Sequence, residues 1–203
     1  MSDISTFFIN FINQAPDRTI SFAIYQDSPT LPAGFQVVAW LQADVPPDGE
    51  SIVMFNRGEY NVAVVDYYDE TGVGIYKSSQ IFVAKIGQIW ELTEKSSREA
   101  NLAIGESHKI AIVHNKVKKG DRTTFQLPNQ YHVGIFYDLV LGQGISSDIY
   151  HLSKLLDLSA DTNHYIVTAK FDSITSKLSL EIEPGKPMIN NAENNRNEKD
   201  SKL

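Results

Sequence analysis

The sequence predicts a mostly β fold: an antiparallel β-sandwich with one short helix and a disordered C-terminal tail. Three observations predict it. Apolar side chains recur with a period of two along most of the 203 residues, the rhythm of strands with a face in a core. Turn residues punctuate these stretches at short, regular intervals. No alternation of strand and helix patterns runs through the chain, so a parallel α/β sheet is not expected.

The elements follow in order. Ile4–Ile12 reads as a first strand. In Thr19–Gln26, Ile20, Phe22 and Ile24 alternate with Ser21, Ala23 and Tyr25, so one face is expected in the core. Phe35–Leu41 is apolar on both faces, as a strand buried between layers would be. Ser51–Phe55, Tyr60–Tyr68, Gly74–Val83 and Ile89–Thr93 follow, then Lys109–His114, Arg122–Leu127, His132–Val140, Tyr165–Phe171 and Lys177–Ile182. Pro32-Ala-Gly34, Pro46-Pro-Asp-Gly49, Asn56-Arg-Gly58, Glu70-Thr-Gly72 and Lys119-Gly-Asp121 are the turns between them. The helix is expected at Ser147–Leu158, where Ser147 or Asp148 supplies a cap and Ile149, Leu152, Leu155 and Leu156 fall near helical spacing. Thr93–Asn101 is a weaker helical stretch, polar almost all round, and Glu94–Ser107 is the best seam were the chain to have two halves. Residues 1–183 are expected to form a single domain. Residues 184–203 carry almost no apolar side chain beyond their first few positions and are expected to stay disordered.

Composition narrows the function. Hydrophobic residues make up 42% of the chain, enough for a core, with no run of eighteen that would cross a membrane. The acidic Asp3 and the broken apolar stretch after it argue for a first strand and against an export signal. A net charge of −7 argues against nucleic acid or an anionic membrane as the main partner. The one basic cluster, His114 to Arg122, reads as a charged hairpin loop. The chain has no cysteine, which removes disulfides, thiol nucleophiles and thiolate metal sites and agrees with a reducing compartment.

No constellation of reactive residues accompanies the strand pattern. The five histidines, His108, His114, His132, His151 and His164, show neither HxH nor HExxH spacing. Asp66-Tyr67-Tyr68-Asp69-Glu70 is an acidic and aromatic cluster running from strand into turn, of a kind that holds a cation or flanks a glycosidic bond. Gly142-Gln-Gly144-Ile-Ser-Ser147 lies between a strand and the expected helix, the context of a phosphate loop, yet no β-α-β pattern surrounds it. Tyr25, Trp40, Tyr67, Tyr68, Tyr76 and Trp90 are candidates for stacking on sugar rings or for a protein interface. The terminal Ser201-Lys202-Leu203 matches a peroxisomal address, meaningful in a eukaryote alone.

Phe22–Gln26 (FAIYQ), Val38–Gln42 (VAWLQ), the Tyr60–Tyr68 strand and Gly74–Ala84 (GIYKSSQIFVA) together resemble the RhiA-like bacterial proteins, the rhizosphere-expressed family. The likeness spans Thr19–Trp90, without the further tryptophan that the family carries near Met54–Tyr60. A looser similarity is to bacterial inclusion-body proteins of the PixA/AidA type. The resemblance implies a bacterial, cytoplasmic, all-β protein under population-density control, with no established enzymatic activity and no catalytic residue to carry over.

The expected function is therefore a non-enzymatic binding or self-associating protein, its partner a second copy, another protein or a carbohydrate. One alternative is a lectin-like carbohydrate binder using Tyr67, Tyr68 and Trp40 or Trp90 with Asp66 or Asp69. Another is a hydrolase built on Asp66, Glu70 or a histidine pair. No cofactor, metal ligand or catalytic residue is assigned.

Overall fold

The computed structural model describes residues 6–26, 33–70, 72–85, 87–91, 100–124, 130–136, 138–145, 150–159 and 161–188. The described part is all β. In chain order the strands are β1 Thr6–Asn13, β2 Ile20–Gln26, β3 Phe35–Val37, β4 Leu41–Val45, β5 Glu50–Asn56, β6 Tyr60–Glu70, β7 Val73–Val83 and β8 Ile89–Glu91. They continue with β9 Ala100–Glu106, β10 Ile112–Val117, β11 Arg122–Thr124, β12 Tyr131–Phe136, β13 Tyr150–Leu156, β14 His164–Asp172 and β15 Lys177–Pro184.

These strands form four sheets. Two are four-stranded, ordered β15-β14-β1-β5 and β13-β12-β2-β4. A third is five-stranded, ordered β3-β10-β9-β6-β7, and β11 pairs with β8 alone. Pairing is antiparallel except between β1 and β14, which run parallel, so the first sheet is mixed.

Alternation in β1 turns Phe7, Ile9, Phe11 and Asn13 inward. Phe11 stacks on Phe22 of β2 with ring centroids 4.8 Å apart, a contact between the two four-stranded sheets. Val62, Leu102, Ile104 and Ile112 of the five-stranded sheet enter the same apolar cluster. Each such side chain, fully buried, contributes about 1.5–3 kcal/mol.

Three segments depart from the sequence expectation. The helix expected at Ser147–Leu158 is not formed where the chain is described: Tyr150–Leu156 is strand β13, hydrogen-bonded along β12. The leucine spacing there fits either period, and the open edge of β12 decides between them. No strand is expected between Thr93 and Lys109, yet β9 lies there, a buried strand between β6 and β10. Phe35–Leu41 is not one strand but a crossing between sheets. Val38 N donates to Ala111 O, Ala39 N to Gln143 O and Trp40 N to Ile24 O. Val38, Ala39 and Trp40 accordingly sink into three different apolar clusters. The second face of β2 is also covered: Ala23 and Tyr25 pack with Val37, Ala39, Phe136 and Leu139.

Past β15, Gly185–Met188 stays beside β14. Gly185 N donates to His164 O, and Asn163 exchanges hydrogen bonds with the Met188 backbone. Residues 189–203, including Ser201-Lys202-Leu203, lie outside the described residues.

Candidate functional site

The six residues singled out as ligand contacts are separated by the fold. Trp40 is fully buried, its ring edge-on to Phe55 at 4.8 Å and its indole N–H donated to Glu106 O at 3.1 Å. It has no surface to offer a ligand. A tryptophan in the crossing segment fills the space between sheets, and the indole N–H then needs a partner inside. Trp90 is half-buried on β8, opposite Thr123 of β11 and 6.1 Å from the Phe82 ring.

Asp66, Tyr67, Tyr68 and Asp69 lie together on β6 but on opposite faces. Tyr67 pairs with Tyr76 across β7, and Asp66 with Lys77. Lys77 sits over the Tyr68 ring at 5.1 Å. Asp69 Oδ1 accepts from Gly72 N and so braces the turn. The side chain of Glu70 lies outside the described residues.

Of the six, Tyr67 lines a cleft. This cleft, of about 640 Å³, is bounded by β3, β6, β7, β9, β10 and the 142–144 segment. The Tyr67 ring is 52% exposed and tilts against Tyr76 at 5.2 Å. Gly74 leaves room for it, since a Cβ there would fall within 3.0 Å of three Tyr67 ring and hydroxyl atoms. Four amides join the wall: Gln36, Asn101, Asn115 and Gln143. The Tyr76 hydroxyl donates to Gln36 Oε1 at 2.9 Å. Burial pushes Tyr76 ionisation up; a hydrogen bond with Asn115 opposes this, and Tyr67 alongside adds to it.

Asn115 and Lys116 reach the cleft through a β-bulge. Pairing of β10 with β9 slips by one residue between His114 and Val117, and Lys116 takes a positive φ of 59°. Such a bulge re-aims side chains that a regular strand would turn elsewhere. Lys116 N then donates to Asn101 Oδ1 at 3.1 Å, which closes the distortion.

Gly142 and Gly144 are not the start of a phosphate loop. Residues 143 and 144 bridge to Ile75 and Val38. Tyr76 N donates to Gly142 O, and β13, not a helix, lies beyond them. A Cβ at Gly142 would lie 2.4 Å from Tyr76 O, and one at Gly144 2.0 Å from Gln36 Nε2. The glycines serve close backbone approach to β7 and β3.

Among the described residues, the most buried ionisable group lies elsewhere. Glu106, 0% exposed at the end of β9, accepts from the Tyr131 hydroxyl at 2.6 Å and Gln26 Nε2 at 3.0 Å through Oε2. Its Oε1 accepts from Gly58 N at 2.8 Å. Ser107 beside it exchanges hydrogen bonds with both backbone groups of Asn56. Glu106 thus ties β9 to β2, β12 and the β5–β6 turn. Among the described residues no group of three metal-ligating side chains converges. His132 stacks on Tyr25, and His114 on Phe35. No described helix is long and apolar enough to cross a membrane.

A second cleft of about 640 Å³ lies between β4, β5 and residues 139–141, with Val53, Met54 and Leu139 among its apolar walls. Its Gln42 Nε2 donates to Leu139 O and to Asp44 Oδ1.

Sequence reasoning reached Tyr67 through its aromatic neighbours. It passed over Gln36, Asn101, Asn115 and Gln143. The available signal was an amide inside an otherwise apolar strand, as in Phe35-Gln-Val37 and Ala100-Asn-Leu-Ala-Ile104. No family model, curated protein or solved structure matches the chain.

Proposed function

We propose that this chain is a non-enzymatic binding protein that seats a saccharide in the Tyr67 cleft. The two four-stranded sheets serve it as a β-sandwich scaffold. The carrying observation is the half-exposed Tyr67 ring set among four amide side chains in one concave site. A tyrosine face covers the apolar face of a sugar ring, and planar amides read its oxygens. Among the described residues that line the cleft there are no paired carboxylates and no nucleophile with a base. The resemblance of Phe22–Gln26 and Gly74–Ala84 to RhiA-like proteins accords with a role without chemistry of its own.

A glycan array probed with the full chain, with and without Ca²⁺, tests this. Hits are expected that weaken at least tenfold in Tyr67→Ala and in Gly74→Val, whose side chain would displace the Tyr67 ring. An array without hits under both conditions ends the reading.

A second reading, self-association, is favoured by the outer half of β7. This strand forms an edge of the five-stranded sheet, and Ile81, Phe82 and Val83 are exposed there, Val83 by 80%. Ala84 N points inward to Tyr60 O, so alternation turns the Ile81 and Val83 backbone outward, as a template for another strand. Sedimentation across a wide concentration range decides: Val83→Lys should abolish any dimer, and a strict monomer in the unmodified chain removes the reading.

A further inference from the structure

The hydrogen-bond polarity of the Tyr67 cleft identifies the ligand more closely. We infer that the cleft selects an acidic sugar, a ring bearing a carboxylate, over its neutral counterpart. This rests on the saccharide reading given above.

Asn101 Oδ1 accepts from Lys116 N, and Gln143 Oε1 accepts from Val140 N. A backbone N–H can only donate, so these two amides have their orientation set: oxygen to the protein, NH₂ to the remaining space. Gln36 Oε1 is likewise taken by the Tyr76 hydroxyl. Among the described residues no hydrogen bond engages the nitrogen end of these three amides. Lys116 adds a cation to the same wall.

The acceptor side is sparser: with the Tyr76 hydroxyl donating to Gln36, its bond with Asn115 comes from the Asn115 NH₂, which makes Asn115 Oδ1 an acceptor on this wall. The chain carries 25 acidic residues against 18 basic ones, yet no Asp or Glu stands among the described residues that line this cleft. Glucuronate and glucose share their ring hydroxyls and differ at C6, where the neutral sugar brings a hydroxyl hydrogen that needs an acceptor, and leaving a donor unpaired on desolvation costs more than the bond itself is worth. A carboxylate brings acceptors alone. It matches three amide NH₂ groups and an ammonium, and charge-assisted hydrogen bonds are the stronger kind. Tyr67 supplies the surface for the ring that carries it.

The test is calorimetric titration of the full chain with glucuronate, glucose and acetate at low ionic strength. Glucuronate is expected to bind at least about tenfold more tightly than glucose, the ratio one charge-assisted contact supports. It should also exceed acetate, which lacks the ring. Lys116→Met should erase the preference, and Lys116→Arg should keep it. Circular dichroism confirms that both variants fold. Glucose binding as tightly as glucuronate, or a preference that survives in Lys116→Met, overturns the acidic-sugar inference and leaves the saccharide seat standing. Acetate equal to glucuronate overturns it in favour of a plain anion site. Binding of none of the three overturns it together with the saccharide reading for these rings.

Discussion

The Tyr131 hydroxyl donates to Glu106 Oε2 across 2.6 Å, and both side chains lie inside the protein. The pair bridges β12 and β9, strands of different sheets. Gln26 Nε2 and Gly58 N complete the carboxylate's partners. A charged group this deep persists only because each of its oxygens is met by donors.

Removing the acceptor should therefore cost more than removing one donor. Glu106→Ala strands the Tyr131 hydroxyl, the Gln26 amide and Gly58 N–H, each worth about 1–3 kcal/mol when buried and unpaired. Glu106→Gln keeps the shape but sets an NH₂ against a donor, and about 1–3 kcal/mol of loss is expected. Urea unfolding should rank wild type above Gln above Ala. An alanine variant as stable as wild type would remove the network from the account of stability.

The same pair sets an alkaline limit. Burial, the Glu106 charge and the hydrogen bond to Glu106 all push Tyr131 ionisation far above the ordinary value of 10.0. In the unfolded chain Tyr131 loses its proton near that value, and in the folded chain it does not. The stabilisation is thus fully present below pH 10 and is lost as pH climbs above it, by up to about 1.4 kcal/mol per pH unit for one group. Burial raises Tyr60 and Tyr76 too, so some alkaline loss remains without Tyr131. Urea midpoints between pH 9 and 11 should fall less steeply in Tyr131→Phe; equal slopes would refute the assignment.

Gly105 has no room for a side chain. A Cβ there would stand 1.7 Å from Lys109 O across the β9–β10 turn, where Ser107 and His108 both take positive φ. The obstructing atom is backbone and cannot swing aside. Gly105→Ala should cost about 3 kcal/mol. Gly120→Ala, at a positive φ of 85° with open space around it, should cost about 1 kcal/mol. Thermal melts of the two variants distinguish a blocked site from a merely strained one.

The two tryptophans should report separately. Trp40 is sealed in the core and Trp90 half-buried, so acrylamide should quench Trp90 emission and spare Trp40. Trp90→Phe is expected to leave a blue-shifted, quencher-resistant spectrum that ligand binding does not alter. Free quenching of the emission that remains would contradict the placement of Trp40.

Much of the fold was legible in local pattern. Alternation in Ile20–Gln26, Tyr60–Tyr68 and Tyr165–Phe171 marks strands because neighbouring side chains point to opposite faces whatever they pair with. The absence of cysteine and the composition of the polar tail are likewise matters of sequence alone. The partner of each strand is not. Tyr150–Leu156 becomes β13 because β12 offers it a ladder, and a ladder partner lies outside any local window. Gln26 and Glu106 stand 80 residues apart, so the depth of that carboxylate is a property of packing. The cleft is assembled in the same way from Gln36, Tyr67, Asn101, Lys116 and Gln143. Its donor character arises where Lys116 N and Val140 N occupy two amide oxygens, a choice made by tertiary hydrogen bonds and by nothing local to those residues.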